Sequence, residues 1–352
     1  MKMEKKFYIR LVLVAMLLFT QLVHSQELFL PDTSRWEIFI NEDFNSPAIN
    51  LAHYKDNNFA KKEGGVELPA LLMDSNVYVQ NGNLVIKTVH LPNPIPCPEG
   101  TQCQYGGWHH YTSGAIVFTD DYDYGFYEIY AKLPYSDGYA SAFWFWRDSI
   151  TWYNEIDVFE SCGARTDKLS CNVHWNFYYN YSDTNDLHNV IDTFPSDYTT
   201  GYHWYGVRWD KSKIYWYYDR KLVRTAVNNF EGVGIHHLMN LILNVALHPD
   251  VAQSWPWASR ITSNSVFPNY MYVDKLRGYR LKCTDKTTVV TDVQNIGSLT
   301  GTVKKSITLT GATTIPTNTS VELYATDYIE FGNGFNVPTG STLKADICNG
   351  CR

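Results

Sequence analysis

Residues Val77–Lys87 read V-Y-V-Q-N-G-N-L-V-I-K. Two short runs rich in β-branched and apolar residues flank Asn81-Gly82, the dipeptide that best tolerates the left-handed backbone of a tight hairpin turn. The stretch predicts two antiparallel strands joined at that turn. Tyr205–Asp219, with Y-G-V-R-W-D and I-Y-W-Y-Y-D on either side of Lys211-Ser212-Lys213, predicts a second hairpin. Gly125–Lys132 (G-F-Y-E-I-Y-A-K) reads as a further strand. Patterns of helical period are scarce beyond residue 25. Many short strands over about 250 residues predict an all-β chain, a β-sandwich of jelly-roll type.

A change of composition follows Leu281. Thr284–Val293 is rich in Thr and Asp and free of aromatics, and residues 294–352 contain no Trp. Evenly spaced short runs there (Ser306–Leu309, Val321–Tyr324, Tyr328–Phe331, Thr342–Ala345) predict a small C-terminal β-module. The expected division is a signal segment at 1–25, a main domain at 26–283, a linker at 284–293 and the module at 294–352.

Lys2, Lys5, Lys6 and Arg10 precede the apolar run Leu11–Phe19, and Val23-His24-Ser25 resembles a cleavage site. Nine strongly apolar residues are too few to span a bilayer, so the expectation is a removed signal peptide and a protein that is secreted or at the cell surface. Its removal takes four Lys/Arg and one Glu from the 352-residue chain and shifts the net charge from −7 to about −10. An acidic chain does not suit nucleic acid or an anionic membrane face as partner. It leaves a neutral substrate open.

All seven cysteines follow the signal segment, where export favours disulfides. Cys97–Cys103 and Cys162–Cys171 are the natural short loops, and Cys283 has Cys348 and Cys351 as partners to choose from; an odd count leaves one thiol over. C-N-G-C at Cys348–Cys351 is also a spacing for metal or redox chemistry, though no second pair or His cluster accompanies it. Some of the 26 Tyr and 11 Trp must fill a core. Their excess also fits a surface that stacks on sugar rings, and composition leaves both roles open.

Residues 155–160, E-I-D-V-F-E, carry the chemistry. On a strand Glu155 and Asp157 share a face, whereas Glu160, five positions on, points the other way. A one-residue β-bulge at Val158-Phe159 restores the phase and brings all three acids to one face. Crowded like charges raise the proton affinity of at least one of them. The rival reading is a loop of solvated acids, against which stand the apolar Ile156, Val158 and Phe159. Two carboxylates flanking a glycosidic bond are what glycoside hydrolysis requires.

This hexapeptide is similar to the E-x-D-x-x-E signature of glycoside hydrolase family 16, in its bulged form. Asn81–Ile86, Tyr111–Gly114, Tyr124–Glu128, Ala142–Trp144, Asn244 within L-I-L-N-V-A-L and Met271–Tyr279 agree in order, so the resemblance spans roughly residues 36–282. It implies a jelly roll of two curved antiparallel sheets, with the cleft on the concave one, and a retaining endo-β-glycanase of the laminarinase, agarase and carrageenase type. Glu155 is then the nucleophile, Glu160 the acid/base and Asp157 the helper between them. Glu128 and Asn244 line the cleft, Trp144 packs near its centre and His174 sits beside the acid; a lone His is as readily a satisfied core residue. Trp108, Trp146, Trp152 and Trp175 are stacking candidates, with core filling as the rival role. A structural calcium on the convex side is implied at Gly82 and Asp274, with Glu42 nearby. No organic cofactor is implied for catalysis.

Two departures bear on substrate. Family β-1,3-glucanases read W-P-A-F-W where this chain has Ala140–Trp144, and carry Arg where it has Tyr130. Both are expected to alter the cleft floor and leave β-1,3-glucan and algal galactan (agarose, porphyran or carrageenan) open. Arg147, Arg165, Lys168 and Arg208 are the sulfate-binding candidates. A carbohydrate-binding protein without hydrolysis is the alternative function, and intact Glu155 and Glu160 count against it. The tail resembles small C-terminal modules of secreted Bacteroidetes proteins, through F-x-x-G-F-x-V-x-x-G-S at Phe331–Ser341. That likeness implies cell-surface or glycan attachment.

Overall fold

The computed structural model describes residues 29–31, 33, 36–46, 54–55, 70–96, 107–148, 152–161, 163, 169–177, 190–191, 198–228, 230, 238–248, 260–282, 288–291, 303–310 and 314–347. Residues 1–25, expected to be a signal peptide, and every cysteine except Cys171 fall outside these residues. Among them there is no α-helix, and no helix long and apolar enough to cross a membrane.

Two large sheets make the main domain. The larger has ten strands: β1 (Trp36–Glu42), β3 (Ala70–Leu72), β4 (Val77–Gln80), β5 (Asn83–Pro96), β6 (Trp108–Ser113), β8 (Gly125–Lys132), β13 (His203–Trp209), β14 (Lys213–Tyr218), β15 (Lys221–Val227) and β17 (Asn269–Leu281). Their order is β15-β14-β13-β8-β17-β5-β6-β3, with β1 paired to β17 and β4 to β5. The smaller sheet has seven: β2 (Tyr54–Lys55), β7 (Ala115–Tyr122), β9 (Tyr139–Asp148), β10 (Trp152–Ser161), β11 (Leu169–Phe177), β12 (Val190–Ile191) and β16 (Met239–Leu247). They run in the order β12-β11-β10-β9-β16-β7-β2. Pairing is antiparallel throughout both sheets except between β3 and β6.

The hairpin at Asn81-Gly82 forms as the sequence predicts. Gln80 pairs with Asn83, and Asn81 and Gly82 take positive φ of 50° and 73°. These are the left-handed values a two-residue turn between twisted strands demands. Alternation then decides which side chains enter the core. Tyr127, Ile129 and Ala131 of β8, Tyr205, Val207 and Trp209 of β13, and Met271, Val273 and Leu276 of β17 face inward from the larger sheet. Phe143 and Phe145 of β9, Leu241, Leu243 and Val245 of β16, and Cys171 and Val173 of β11 meet them from the smaller one. The outer face of the smaller sheet is thereby left free to become a site.

The C-terminal residues form a separate four-stranded sheet, β18 (Thr288–Thr291), β19 (Val303–Leu309), β20 (Ser320–Phe331) and β21 (Thr342–Ile347), parallel at every pairing. Parallel neighbours need a return connection. Here each turn of the chain supplies it: Ser306 pairs with Tyr328 and Ser320 with Thr342, each 22 residues on. Thr314 bridges Asn336 at the same interval. The module is a stack of coils around Ile307, Leu309, Ile315, Val321 and Leu323. Thr288–Thr291, expected within a linker, is the strand that opens this stack.

Candidate active site

The strand β10 carries the three acids, and its register shows how they come together. Between Glu155 and Glu160 it advances five residues. Along the same ladders β9 advances four, from Trp146 to Ala142, and β11 four, from His174 to Ser170. One residue is therefore extra. Against β9, Asp157 pairs with Trp144 and Phe159 with Phe143, which leaves Val158 as the unmatched member. Ile156, Val158 and Phe159 all lie in the core, at 4% exposure or less. The bulge thus sends two consecutive side chains inward and returns Glu160 to the face of Glu155 and Asp157.

Each acid is positioned by its neighbours. Asp157 is buried, its side chain 3% exposed, and its Oδ2 lies 3.1 Å from His174 Nε2 on β11. Glu160 Oε2 accepts a 3.3 Å hydrogen bond from Asn172 Nδ2, which also donates to Ser170 Oγ at 2.8 Å. Glu155 stands in register with Trp146 on one side and His174 on the other. The Asp157 carbonyl accepts a 2.7 Å bond from the indole N–H of Trp216, which reaches across the core from β14. A buried carbonyl displaced from its ladder is costly if left unpaired, so Trp216 underwrites the bulge from the opposite sheet.

Trp144 and Asn244 flank the acids on β9 and β16. The Trp144 indole donates to Asn244 Oδ1 at 2.8 Å, and the ring packs with Val117 and Ile242. Trp146 stacks on Tyr153 at 5.3 Å and 21°. Polar acids on an aromatic floor, on the outer face of one sheet, make a site able to hold a sugar ring and to exchange protons with it.

Several residues singled out from the sequence lie elsewhere. Glu128 alternates with Tyr127 and Ile129, which face the core, so it projects from the outer face of the larger sheet rather than into the cleft. There its carboxylate is held by Arg220 in two hydrogen bonds of 2.8 and 3.1 Å, with Tyr279 Oη at 3.4 Å. Burial raises its pKa, and the Arg220 guanidinium opposes that rise. Tyr130, two residues on, shares this outer face, so the change at that position leaves the cleft floor untouched. Ala140 does lie on β9 in phase with Trp144, so that departure stays in the cleft. Trp152 and Trp175 fall on the core side of β10 and β11 and pack against the core. Trp108 is exposed at the start of β6 in the larger sheet. Arg208 lies over Tyr215 at 4.0 Å on the outer face of that sheet, not near the acids; Arg165 and Lys168 are outside the described residues. Asn172, Tyr153 and Trp216 were missed. The first two are the in-phase neighbours of His174 and Glu155, a signal legible in the sequence; nothing local marks Trp216.

Cys171 is a free, buried thiol on the core side of β11, so the expected Cys162–Cys171 bond is not formed. Burial pushes its pKa up, with Asp157 and Glu160 adding to the rise and Arg224 opposing it. The other expected disulfides involve residues outside those described.

The proposed calcium residues meet at a seam. β5 and β1 pair end to end along one edge of β17, β5 with Asn269–Val273 and β1 with Leu276–Leu281. Asp274 is the residue at which β17 shifts register against β8 between them. A Cβ on Gly82 would stand 3.5 Å from Asn45 Oδ1. The Asp274 carboxylate is paired with Lys275, and Glu42 Oε1 accepts the Phe44 N–H at 2.8 Å. Among the described residues no group of three His, Cys, Asp or Glu is poised to hold a metal. Gly82 and Asp274, with Asn45 beside Gly82, carry oxygen donors of the type a hard cation takes; Asp274 would exchange its Lys275 contact for the cation, and Glu42 is engaged by its own turn.

Comparison with known proteins agrees with this architecture. The chain is 31% identical over 278 residues to glucan endo-1,3-beta-glucosidase A1 of Niallia circulans, covering 71% of this chain and 36% of that protein. It spans about a third of the length of the first curated relatives it matches. It is 26% identical over 300 residues to the kappa-carrageenase of Pseudoalteromonas carrageenovora, covering 75% and 70% of the two chains. Among solved structures, the catalytic domain of an endo-1,3-beta-glucanase (laminarinase) from Thermotoga petrophila RKU-1 superposes with a TM-score of 0.57 at 26% identity, over 70% of this chain and 98% of that one. The family model for glycosyl hydrolases family 16 matches residues 67–249, which hold the bulged strand and its three acids. The chain belongs to glycosyl hydrolases family 16.

Proposed function

We propose that this protein is a retaining endo-β-glycanase that hydrolyses internal β-linkages of a polysaccharide, with β-1,3-glucan as its substrate. The observation that carries the reading is the bulge in β10, which gathers Glu155, Asp157 and Glu160 on the cleft face. The Glu155 carboxylate attacks the anomeric carbon as the bond to the leaving oxygen breaks, and the proton of Glu160 passes to that oxygen. Glu160, now a carboxylate, takes a proton from water; the hydroxide oxygen bonds to the anomeric carbon and Glu155 departs with its electron pair. Asp157, held by His174, stands between the two and orients the nucleophile. Trp144, Trp146 and Tyr153 support the sugar rings, and Asn172 aims Glu160.

The substrate rests on the names of the 1,3-glucanase relatives. The kappa-carrageenase relative and Ala140 in the cleft favour a galactan instead. Reducing-end release from laminarin, mixed-linkage glucan, agarose, porphyran and carrageenans decides between them. Glu155→Gln is expected to abolish release while oligosaccharide binding persists; near-normal cleavage by that variant removes Glu155 from its role. Proton NMR of the first product is expected to show the β-anomer, and initial α-product means inversion. Binding to these glycans with no release by the unaltered protein supports the alternative of a non-catalytic binding protein.

The same reading has the protein exported, on the signal pattern at 1–25, with the C-terminal coil stack serving cell-surface or glycan attachment. It also includes a structural calcium held by Gly82, Asn45 and Asp274. A bound calcium would tie the β4–β5 turn to β17, and its contribution is to stability rather than to the reaction.

A further inference from the structure

The outer face of the larger sheet, opposite to the acids, carries a strip of aromatic rings. Tyr78 of β4, Tyr270 and Tyr272 of β17, Tyr130 of β8, Trp204 of β13 and the adjoining Tyr202 all alternate with core-facing residues and are all partly exposed. Tyr130 lies 5.0 Å from Trp204 at 30° and 5.3 Å from Tyr202 at 35°; Tyr270 and Tyr272 lie 5.8 Å apart at 29°. Tyr272 shares a row with Tyr78, both in register with Val85 between them. Tyr130 lies two residues before Lys132, the register partner of Tyr272, so the two groups of rings adjoin across β17 and β8.

We propose that this strip is a second glycan-binding site, separate from the cleft, which takes a neutral β-linked glucan chain across the strands. Six adjoining half-buried rings on one face of a sheet make an apolar patch of the kind that marks an interaction surface. Tyrosine and tryptophan offer rigid apolar area with a polar edge, which is what the C–H faces and hydroxyls of a sugar chain match. The strip crosses β4, β5, β17, β8 and β13, four strand spacings or about 19 Å, enough for several consecutive rings. Its charge also points to an uncharged ligand. Arg220, stacked on Trp204 at 4.0 Å, is bound by Glu128, and Lys275 is paired with Asp274. Lys87 and Lys132 stand beside Tyr270 and Tyr272, Lys132 within the strip; two lysines spread among six rings do not make the cationic cluster an anionic chain requires. The Tyr202 hydroxyl donates to Asn83 Oδ1 at 2.9 Å, so that ring is held in place rather than folded away.

The identity of the ligand rests on the glycanase reading, whereas the site itself does not. The test is calorimetric titration of the full chain carrying Glu155→Gln with a β-1,3-glucan hexasaccharide, at low and at 0.5 M salt. Two sites are expected, unaffected by salt. Adding Tyr130→Leu and Tyr272→Leu is expected to weaken one site at least tenfold and leave the other. Two sites in the quadruple comparison of salt and variant alike, or a single site that the leucine changes do not touch, overturns the strip and leaves the cleft standing. A single site lost on the leucine changes upholds the strip and overturns the cleft. Binding confined to a sulfated carrageenan hexasaccharide and lost at 0.5 M salt overturns the neutral ligand. Should the leucine variants melt early, the ligand-induced fluorescence change lost in Trp204→Leu reads the same site without removing a tyrosine; no difference from the parent overturns it.

Discussion

Deleting Val158 isolates what the bulge does. The register requires that β10 hold one residue more than β9 and β11 between the same partners, and Val158 is the unmatched one. Without it the strand reads Glu155, Ile156, Asp157, Phe159, Glu160, a plain alternation in which the three acids still share a face and Phe159 still enters the core opposite Phe143. The ladder closes with no residue to spare. The cost is the lost burial of one valine side chain, 4% exposed, about 2 kcal/mol, plus that of the buried Trp216 N–H, whose carbonyl partner returns to the closed ladder, about 1–3 kcal/mol. In a domain of this size the two together are about 12 °C in melting temperature. Hydrolysis of the best glycan from the panel is expected to remain within about tenfold of the parent, whereas Glu160→Ala is expected to lose about 10²–10⁴-fold, as removal of a general acid/base does. The assay is initial reducing-end release beside a thermal melt on the same samples. A folded deletion variant as inactive as Glu160→Ala refutes the argument, because the extra residue would then do more than set the face. A fall of more than about 20 °C refutes the claim that the ladder closes.

Trp216→Phe keeps a ring in the core but removes the donor to the Asp157 carbonyl; the orphaned carbonyl is expected to cost about 1–3 kcal/mol, and an unchanged melt dismisses the strut. Gly163→Ala places a Cβ 2.3 Å from the Ser136 carbonyl oxygen and 2.8 Å from Tyr139 Cβ, so a strong loss of stability is expected on denaturant titration, and a neutral result contradicts that packing. Glu128→Gln is expected to leave hydrolysis within twofold of the parent, since the carboxylate lies on the opposite face; a loss of a hundredfold would return Glu128 to the cleft. Burial lowers the pKa of His248 from 6.5 to about 4. The unfolded chain therefore takes up this proton first, and stability falls as pH drops from 6.5 to about 4, by at most about 3 kcal/mol; His248→Asn should flatten that part of the pH–stability profile, and an unaltered slope rules the residue out. Calcium is expected to raise the melting temperature and a chelator to lower it, with the response lost in Asp274→Ala; equal melts in all conditions remove the site.

Alternation and turn chemistry are local, and they were legible from the chain alone. Asn81-Gly82 marks a hairpin because few other residues enter left-handed backbone at so little cost. The phase error in E-I-D-V-F-E announces a bulge because two acids on one face and a third behind make no sense on a buried strand. The repeat of Ile315-Pro-Thr at Val337-Pro-Thr, 22 residues on, also lay in plain view, yet its meaning as a coil became clear only when the pairing proved parallel. What the sequence by itself determined, then, is where strands start, turn and change phase. Which of two sheets a strand joins, and so whether an outward residue faces the cleft or the far side, was decided by tertiary structure. Glu128 and Tyr130 alternate as well as Glu155 and Asp157 do, but their strand belongs to the opposite layer. Trp216 lies 59 residues from the carbonyl it serves. Such choices are settled by pairing and packing between distant segments, whose energies depend on the whole assembled core and are carried by no short stretch of the chain.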